Sequence, residues 1–339
     1  MAASVNKVNF IAEVSANHLG SLERAKAIVR AAAKAGATSV KFQTYTADTM
    51  TLNLPEFAVS AGHEIWGGRK LYDLYEEAHT PWEWHAELFM LARKLDITPF
   101  SSPFDITAVN FLESLDCPMY KIASLETGDH RLIEAVAKTG KPIIMSTGAT
   151  EWHEIEEAVQ VVRKTGNTNL TLLLCTSSYP AIPSDSHLSR IQSLKNEFQC
   201  NVGLSDHTLG IGVSVAAIAL GAQAIEKHLT LRREDGGADS EFSMEPDEFA
   251  SLVKEGSAAA LSIGEPKWEI QESEHESRIL RRSLYVVKAV RVGEEVTHEN
   301  VRAIRPGGGA APRILGDIIG KKFKESHSEG FPFKESLVE

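Results

Sequence analysis

Residues 8–44 read VNFIAEVSANHLGSLERAKAIVRAAAKAGATSVKFQT, and this stretch decides the fold. It opens on a short apolar run rich in β-branched residues (8–14) and closes on another (39–44), the composition of β-strands. Between them Leu22, Ala25, Ile28, Val29 and Ala32 recur at intervals of three and four, the period of a helix with one apolar face. Ser21 stands where an N-cap is needed, and Gly36 stands just past the end. Strand, helix and strand in this order form a βαβ unit, the element of a parallel sheet.

The unit recurs. Apolar runs at 97–103, 119–124, 142–147, 170–176, 201–205 and 224–229 bring the strands to eight, each followed by a helical pattern. Thr80-Pro81-Trp82-Glu83 predicts a capping box with proline at the first helical position, and Thr150 with Glu151 and Glu154 predicts a second acidic-headed helix. Eight βα units over residues 1–265 match a closed (β/α)8 TIM barrel, an α/β fold of about 250 residues. A doubly wound sheet more often carries a glycine fingerprint after its first strand, and neither GxGxxG nor a Walker loop occurs. The longest connection, 45–80, follows the second strand and contains Trp66-Gly67-Gly68, which places a lid-like loop over the catalytic face.

A helix over 248–261 precedes a linker at 266–280 that includes the charged run 272–278. Residues 281–339 form a small α+β domain with a strand at 284–290, a turn at 292–295, a helix start at 297–300 and a turn at 328–330 before Phe331. A domain of this size is marginal alone and is expected to dock on a barrel, its own or a partner's.

Across 339 residues, 43% hydrophobic and 24% charged residues exclude a disordered, collagen-like or membrane-spanning chain. Thirty-five basic against 46 acidic side chains give a net charge of −11, which argues against general affinity for nucleic acid or anionic membrane. An anionic substrate would therefore need cations gathered locally. Cys117, Cys175 and Cys200 show no CxxC spacing, so reduced thiols are expected. The N-terminal residues lack the apolar segment and cleavage site of a signal peptide, so the expected location is the cytoplasm.

Chemistry in a TIM barrel sits at the C-terminal ends of the strands. Glu13 ends the first run; Lys41 and Gln43 lie in the second; Ser102, then Lys121 and Ser124, then Ser146 mark the next three. Tyr179 follows the sixth, Ser205 and His207 close the seventh, and Glu226 and His228 lie in the eighth. A lone histidine more often satisfies a backbone carbonyl, but His207 and His228 fall at equivalent places one unit apart and can converge on one divalent metal with open positions. Lys41 and Lys121 in apolar strands read either as snorkelling or ion-paired lysines or as two cations facing one anion. The hydroxyls Ser102, Ser124, Ser146 and Ser205 would complete a phosphate or carboxylate cradle. Glu13 is either a paired structural carboxylate or an acid–base group near the metal.

The segments IAEVSANH (11–18), VKFQT (40–44), YKIAS (120–124), STG (146–148), CTSSYP (175–180), GLSDHT (203–208) and EKH (226–228) resemble the sialic acid synthases, in order and over nearly the whole chain. The tail, with NVR (300–302) and RPG (305–307), resembles their antifreeze-like (SAF) domain. LYDLY (71–75), WEW (82–84) and GGADSEFS (236–243) resemble the pseudaminic branch of that family. Leu19 departs from the family's Asn-His-Asn-Gly in the loop after the first strand.

The resemblance implies a transferase that condenses phosphoenolpyruvate with an open-chain acetamido sugar and releases phosphate by C–O cleavage. It implies phosphoenolpyruvate on Lys41, Ser102, Lys121, Ser124, Ser146 and Ser205, and the sugar on Gln43, Tyr179, Asp239 and Arg305, the arginine coming from a partner subunit in a domain-swapped homodimer. It implies catalytic Glu13, His207 and His228, the two histidines carrying a divalent metal, with manganese first and magnesium or cobalt as alternatives. The acceptor implied by the branch is 2,4-diacetamido-2,4,6-trideoxy-L-altrose, with neuraminate-type and legionaminate-type acceptors as alternatives. A Schiff-base aldolase using Lys121 is the more remote enzyme reading, against which the histidine pair stands. A purely carbohydrate-binding role for the C-terminal module leaves the loaded barrel unused.

Overall fold

The computed structural model describes residues 8–60 and 66–339. The N-terminal residues read for a leader, and residues 61–65 of the long connection, lie outside the described residues. Eight parallel strands close into a barrel in sequence order. They are β1 (Asn9–Glu13), β2 (Ser39–Thr44), β3 (Thr98–Pro103), β4 (Tyr120–Ile122), β5 (Ile143–Ser146), β6 (Leu170–Cys175), β7 (Asn201–Ser205) and β8 (Ala224–His228). Pairing of β1 with β8, from Asn9 opposite Ala224 to Glu13 opposite His228, closes the circle. A helix follows each strand; the first, Leu22–Lys34, is capped by Ser21, whose side chain accepts from the Arg24 N–H, and it turns out through Gly36 at φ +89°.

Strand alternation divides the side chains between two environments. In β2, Phe42 packs on Phe89 of the helix His85–Lys94, with ring centroids 5.8 Å apart, while its neighbours Lys41 and Gln43 face the cavity inside the barrel mouth. Fully buried Phe42, Phe89, Tyr120 and Phe249 anchor the shell between sheet and helices. Each such ring contributes roughly 1.5–3 kcal/mol by leaving water.

Two local expectations give way. Thr80 does not cap a helix: its Oγ1 is buried without a hydrogen-bond partner, and the chain first makes a tight turn at Trp82–Trp84. Trp82 causes this by stacking on Phe111 at 4.7 Å while its Nε1 donates to the Tyr45 carbonyl. The fourth strand stops at Ile122, two residues early, because the chain turns at Ser124–Glu126. The long connection carries two short helices, Ala47–Met50 and Leu71–Ala78.

Residues Glu265–Glu339 form a separate compact unit. Within it β9 (Ser283–Val286) and β10 (Val301–Ile304) pair antiparallel over a core that includes Leu284, Val301, Phe323 and Phe333. The charged run read as a linker carries a short helix: a capping box of Gln271 and Glu274 leads into His275–Ile279. The strand expected over 284–290 ends at Val286, and Val290 rejoins only through a single bridge to His327. The helix start expected at 297–300 is a turn, closed by the Thr297 N–H donating to Asn300 Oδ1 at 2.8 Å. No helix among the described residues is long and apolar enough to cross a membrane.

Candidate active site

A cavity of about 300 Å³ opens at the C-terminal ends of the strands. Its floor is charged. Lys41 Nζ lies 2.5 Å from Glu13 Oε2 and 3.9 Å from Glu226 Oε1, and Lys121 Nζ lies 3.4 Å from the same Glu226 oxygen. Ser205 Oγ donates to that oxygen at 3.0 Å. Register explains the cluster: Glu13 sits opposite both Lys41 and His228, and Ser205 opposite Glu226, so inward-facing neighbours on adjacent strands meet.

Burial sets the protonation states. It lifts the Glu13 carboxyl, the Lys41 ammonium pulls it back, Glu226 lifts it again, and the result is about 7. Burial also lifts Glu226, but Lys121 and Lys41 outweigh it and hold this carboxyl below its ordinary value. Lys121 is lowered, mainly by burial. Two cations thus face a cavity in which Glu226 is firmly charged, while Glu13, buried beneath Lys41, is poised to take a proton, an arrangement that attracts an anion despite the chain's overall charge.

Above this floor stand the histidines, with ring centroids 5.4 Å apart. His207 Nδ1 lies 2.9 Å from the Thr176 carbonyl, which can only accept, so Nδ1 carries a proton; burial pulls this imidazole down, but Cys175 and that carbonyl outweigh it and hold it above its ordinary pKa. Burial drives His228 well below its usual pKa, helped by His207 and the lysines, so it is neutral. Its Nδ1 is buried without a hydrogen bond, 3.7 Å from Asp239 Oδ2. Two imidazoles at equivalent strand ends fit a divalent cation completed by water and substrate, the cation taking the place of a ring proton on His207. Among the described residues no group of three or more His, Cys, Asp or Glu is placed to hold a metal without such help.

Burial raises the Cys175 thiol, but His207 first, then Ser124 and Lys121, together outweigh it and leave the thiol at about 7. Tyr179 packs on His207 at 4.4 Å and on Phe242 at 5.0 Å, and Trp66 approaches Tyr179 at 5.8 Å, which makes one wall of the mouth aromatic. Gly148 lies between Ser124 and Ser177: its N–H donates to Ser124 Oγ at 3.1 Å, and a Cβ there would collide with Ser177 Oγ.

Lys41, Gln43, Lys121, Ser124, Ser146, Tyr179, Ser205, His207, His228 and Asp239 all line the cavity. Glu13 does not; it lies beneath Lys41, fully buried. Ser102, opposite Gln43 in register, accepts from Lys41 Nζ at 3.5 Å and likewise does not line the cavity. Arg305 follows β10 in the C-terminal unit. Leu19 packs its side chain against Gly237, in a space that any Cβ at Gly237 would fill. The loop so held carries Asp239, whose Oδ2 accepts from the Ala16 N–H at 3.3 Å, and Ala238, whose carbonyl accepts from Trp66 Nε1.

Two carboxylates of the cavity escaped the sequence reading as site groups. Glu226 was visible in the eighth strand, but only register reveals that it joins both lysines. Glu126 lies in the turn after β4, where no strand pattern points to it, and burial raises its carboxyl to about 7.

A closed parallel barrel whose mouth gathers lysines, carboxylates and paired histidines around one cavity is a (β/α)8-barrel enzyme. Its family follows from comparison with known proteins: the NeuB family model matches residues 28–267, and the SAF domain model matches residues 281–339. The chain belongs to the NeuB family. It is 42% identical over 332 residues to the pseudaminic acid synthase of Campylobacter jejuni subsp. jejuni serotype O:23/36 (strain 81-176), covering 97% of this chain and 96% of that protein. It is 35% identical to the N,N'-diacetyllegionaminic acid synthase of Campylobacter jejuni subsp. jejuni serotype O:2 (strain ATCC 700819 / NCTC 11168), covering 95% and 98%. Among solved structures, the N-acetylneuraminic acid (sialic acid) synthetase from Leptospira borgpetersenii serovar Hardjo-bovis, in complex with citrate, matches with a TM-score of 0.73 and 35% identity, over 80% of this chain and 90% of that one.

Proposed function

We propose that this chain condenses phosphoenolpyruvate with 2,4-diacetamido-2,4,6-trideoxy-L-altrose and water, giving pseudaminic acid and phosphate. The observation that carries this reading is the shared cavity: two buried lysines, a hydroxyl cradle and a neutral histidine open into one space. Lys41 and Lys121 meet the phosphate and carboxylate of phosphoenolpyruvate, and the hydroxyls of Ser124, Ser146 and Ser205 complete its hydrogen bonds. Ser102 supports Lys41 through its hydroxyl. Gln43, Tyr179 and Asp239 take the sugar, and Arg305 reaches it from the partner chain of a homodimer.

The C3 carbon of phosphoenolpyruvate attacks the sugar aldehyde, forming the new C–C bond and an electron-poor C2. Water adds at C2 and gives up one proton, which balances the one taken up by the former aldehyde oxygen; the remaining C2 hydroxyl becomes the keto group, its proton leaving with phosphate as the C2–O(phosphate) bond breaks. Glu13, poised near neutrality under Lys41, exchanges protons with the cavity through that ammonium. Glu126, at the mouth with a similar pKa, is a second group suited to acid–base work. His207 and His228 hold a divalent cation, manganese first among the candidates, which when bound supplies Lewis acidity at the aldehyde oxygen.

The acceptor's 6-methyl group suits the wall formed by Trp66 and Tyr179, where a hydroxyl would go unsatisfied. The 42% identity to a pseudaminic acid synthase, against 35% to a legionaminic acid synthase, supports the altrose configuration. Incubation with phosphoenolpyruvate and each sugar in turn tests the reading. Phosphate release should be fastest with the altrose derivative; equal or faster release with N-acetylmannosamine or the legionaminate-type acceptor would contradict the assignment.

A further inference from the structure

Immediately before each histidine stands a charged residue that the proposed reaction does not use: Asp206 before His207, and Lys227 before His228. Alternation turns these two away from the cavity that their neighbours face, and both are almost fully buried. There they meet, Lys227 Nζ lying 3.1 Å from Asp206 Oδ2.

Every polar atom of the pair is engaged. Lys227 Nζ also donates to the carbonyls of Thr208, at 2.6 Å, and Gly210, at 3.1 Å, which uses its three protons. Asp206 Oδ1 accepts from the Thr208 N–H at 2.9 Å and its hydroxyl at 2.7 Å, and Oδ2 accepts from Ser214 Oγ at 2.6 Å. The ion pair therefore does two things. It bridges the ends of β7 and β8, and it gathers residues 208–210 of the loop that leaves His207. Backbone bonds continue the fastening, since the Asp206 N–H donates to the Glu226 carbonyl at 2.9 Å and the His207 carbonyl accepts from the Ala181 N–H at 3.0 Å.

A buried ion pair is weak evidence for stability, because desolvation offsets most of its attraction. Its geometric effect is firmer. Each member is covalently next to one of the two imidazoles, so their separation constrains the spacing of His207 and His228 from behind. We propose that Asp206 and Lys227 are positioning residues that set the affinity of the histidine pair for a divalent cation. This rests on the metal reading of that pair given above. Groups outside the first ligands commonly change metal affinity by 10- to 100-fold when removed.

The test measures Mn²⁺ binding to the full chain without substrate, by the loss of the free-ion electron paramagnetic resonance signal, in wild type, Lys227→Met and Ser214→Ala. Binding of phosphoenolpyruvate without metal is measured in parallel by calorimetry. Lys227→Met should weaken Mn²⁺ binding about tenfold or more while phosphoenolpyruvate binding stays within about twofold, a split that general misfolding would not give. Ser214→Ala, which removes one hydrogen bond and keeps the ion pair, should weaken Mn²⁺ binding by a smaller factor and keeps the test open should Lys227→Met not fold. Unchanged Mn²⁺ affinity in the folded variants, beside a His207→Ala control that has lost it, would overturn this proposal alone. Mn²⁺ binding that survives His207→Ala, or is absent in wild type, would overturn the metal reading and this proposal together.

Discussion

Replacing Lys121 by methionine isolates the charge that the barrel presents to an anion. The side chain is almost completely buried, and Glu226 is its ion-pair partner at 3.4 Å. Methionine keeps most of the volume and removes the ammonium. Glu226 retains Ser205 Oγ at 3.0 Å and Lys41 Nζ at 3.9 Å, so the carboxylate is not orphaned and the fold should persist. A hydrogen bond to a charged group contributes about 1.5–3 kcal/mol, which corresponds to roughly 10- to 150-fold in affinity. The dissociation constant for phosphoenolpyruvate, measured by calorimetry, should rise by that factor, while the Michaelis constant for the amino sugar changes by less than about threefold. Equal losses for both substrates, with thermal unfolding unchanged, would refute the assignment of Lys121 to the anion. Borohydride reduction with pyruvate should leave the wild-type enzyme active; covalent trapping on Lys121 would favour an aldolase instead.

The Glu126 carboxyl, raised by burial to about 7, binds a proton in the fold that the unfolded chain releases near 4.5. Its stabilisation is full below about 4.5 and is lost as pH rises to about 7, so Glu126→Gln should remove on the order of 1–3 kcal/mol of that pH dependence in urea unfolding. Identical pH profiles for variant and wild type would contradict the buried, protonated carboxyl. Mixing Arg305→Ala and His207→Ala chains tests the shared site: if Arg305 acts on the partner's barrel, mixed dimers carry one intact site and restore about a quarter of wild-type activity. No restoration would place Arg305 in its own chain's site, and full activity of Arg305→Ala alone would place it outside catalysis.

All eight barrel strands were legible because each is a short β-branched run bounded by turn residues, a signal local to the sequence. The histidine pair and the lysines were legible for a related reason: polar residues in otherwise apolar strands mark the open end of the barrel. What escaped depends on register. Nothing in the order of residues says that Glu226 touches both Lys121 and Lys41, or that Asp206 meets Lys227 behind the histidines. Ser102 has the right residue type and sits opposite the cavity-lining Gln43, yet its hydroxyl meets Lys41 Nζ and does not line the cavity, a difference that a linear pattern cannot express. Thr80 followed the capping pattern, but tertiary stacking of Trp82 on Phe111 overrode it.

The central claim is that phosphoenolpyruvate is consumed with cleavage of its C–O bond as a carbon–carbon bond forms to the sugar. Phosphoenolpyruvate labelled with ¹⁸O at the bridging position, turned over with the altrose acceptor and followed by ³¹P magnetic resonance, reads this directly. The account predicts the label in the released phosphate, in step with formation of the nine-carbon acid. Label retained at C2 of the product, or phosphate released without a new carbon–carbon bond, would contradict it.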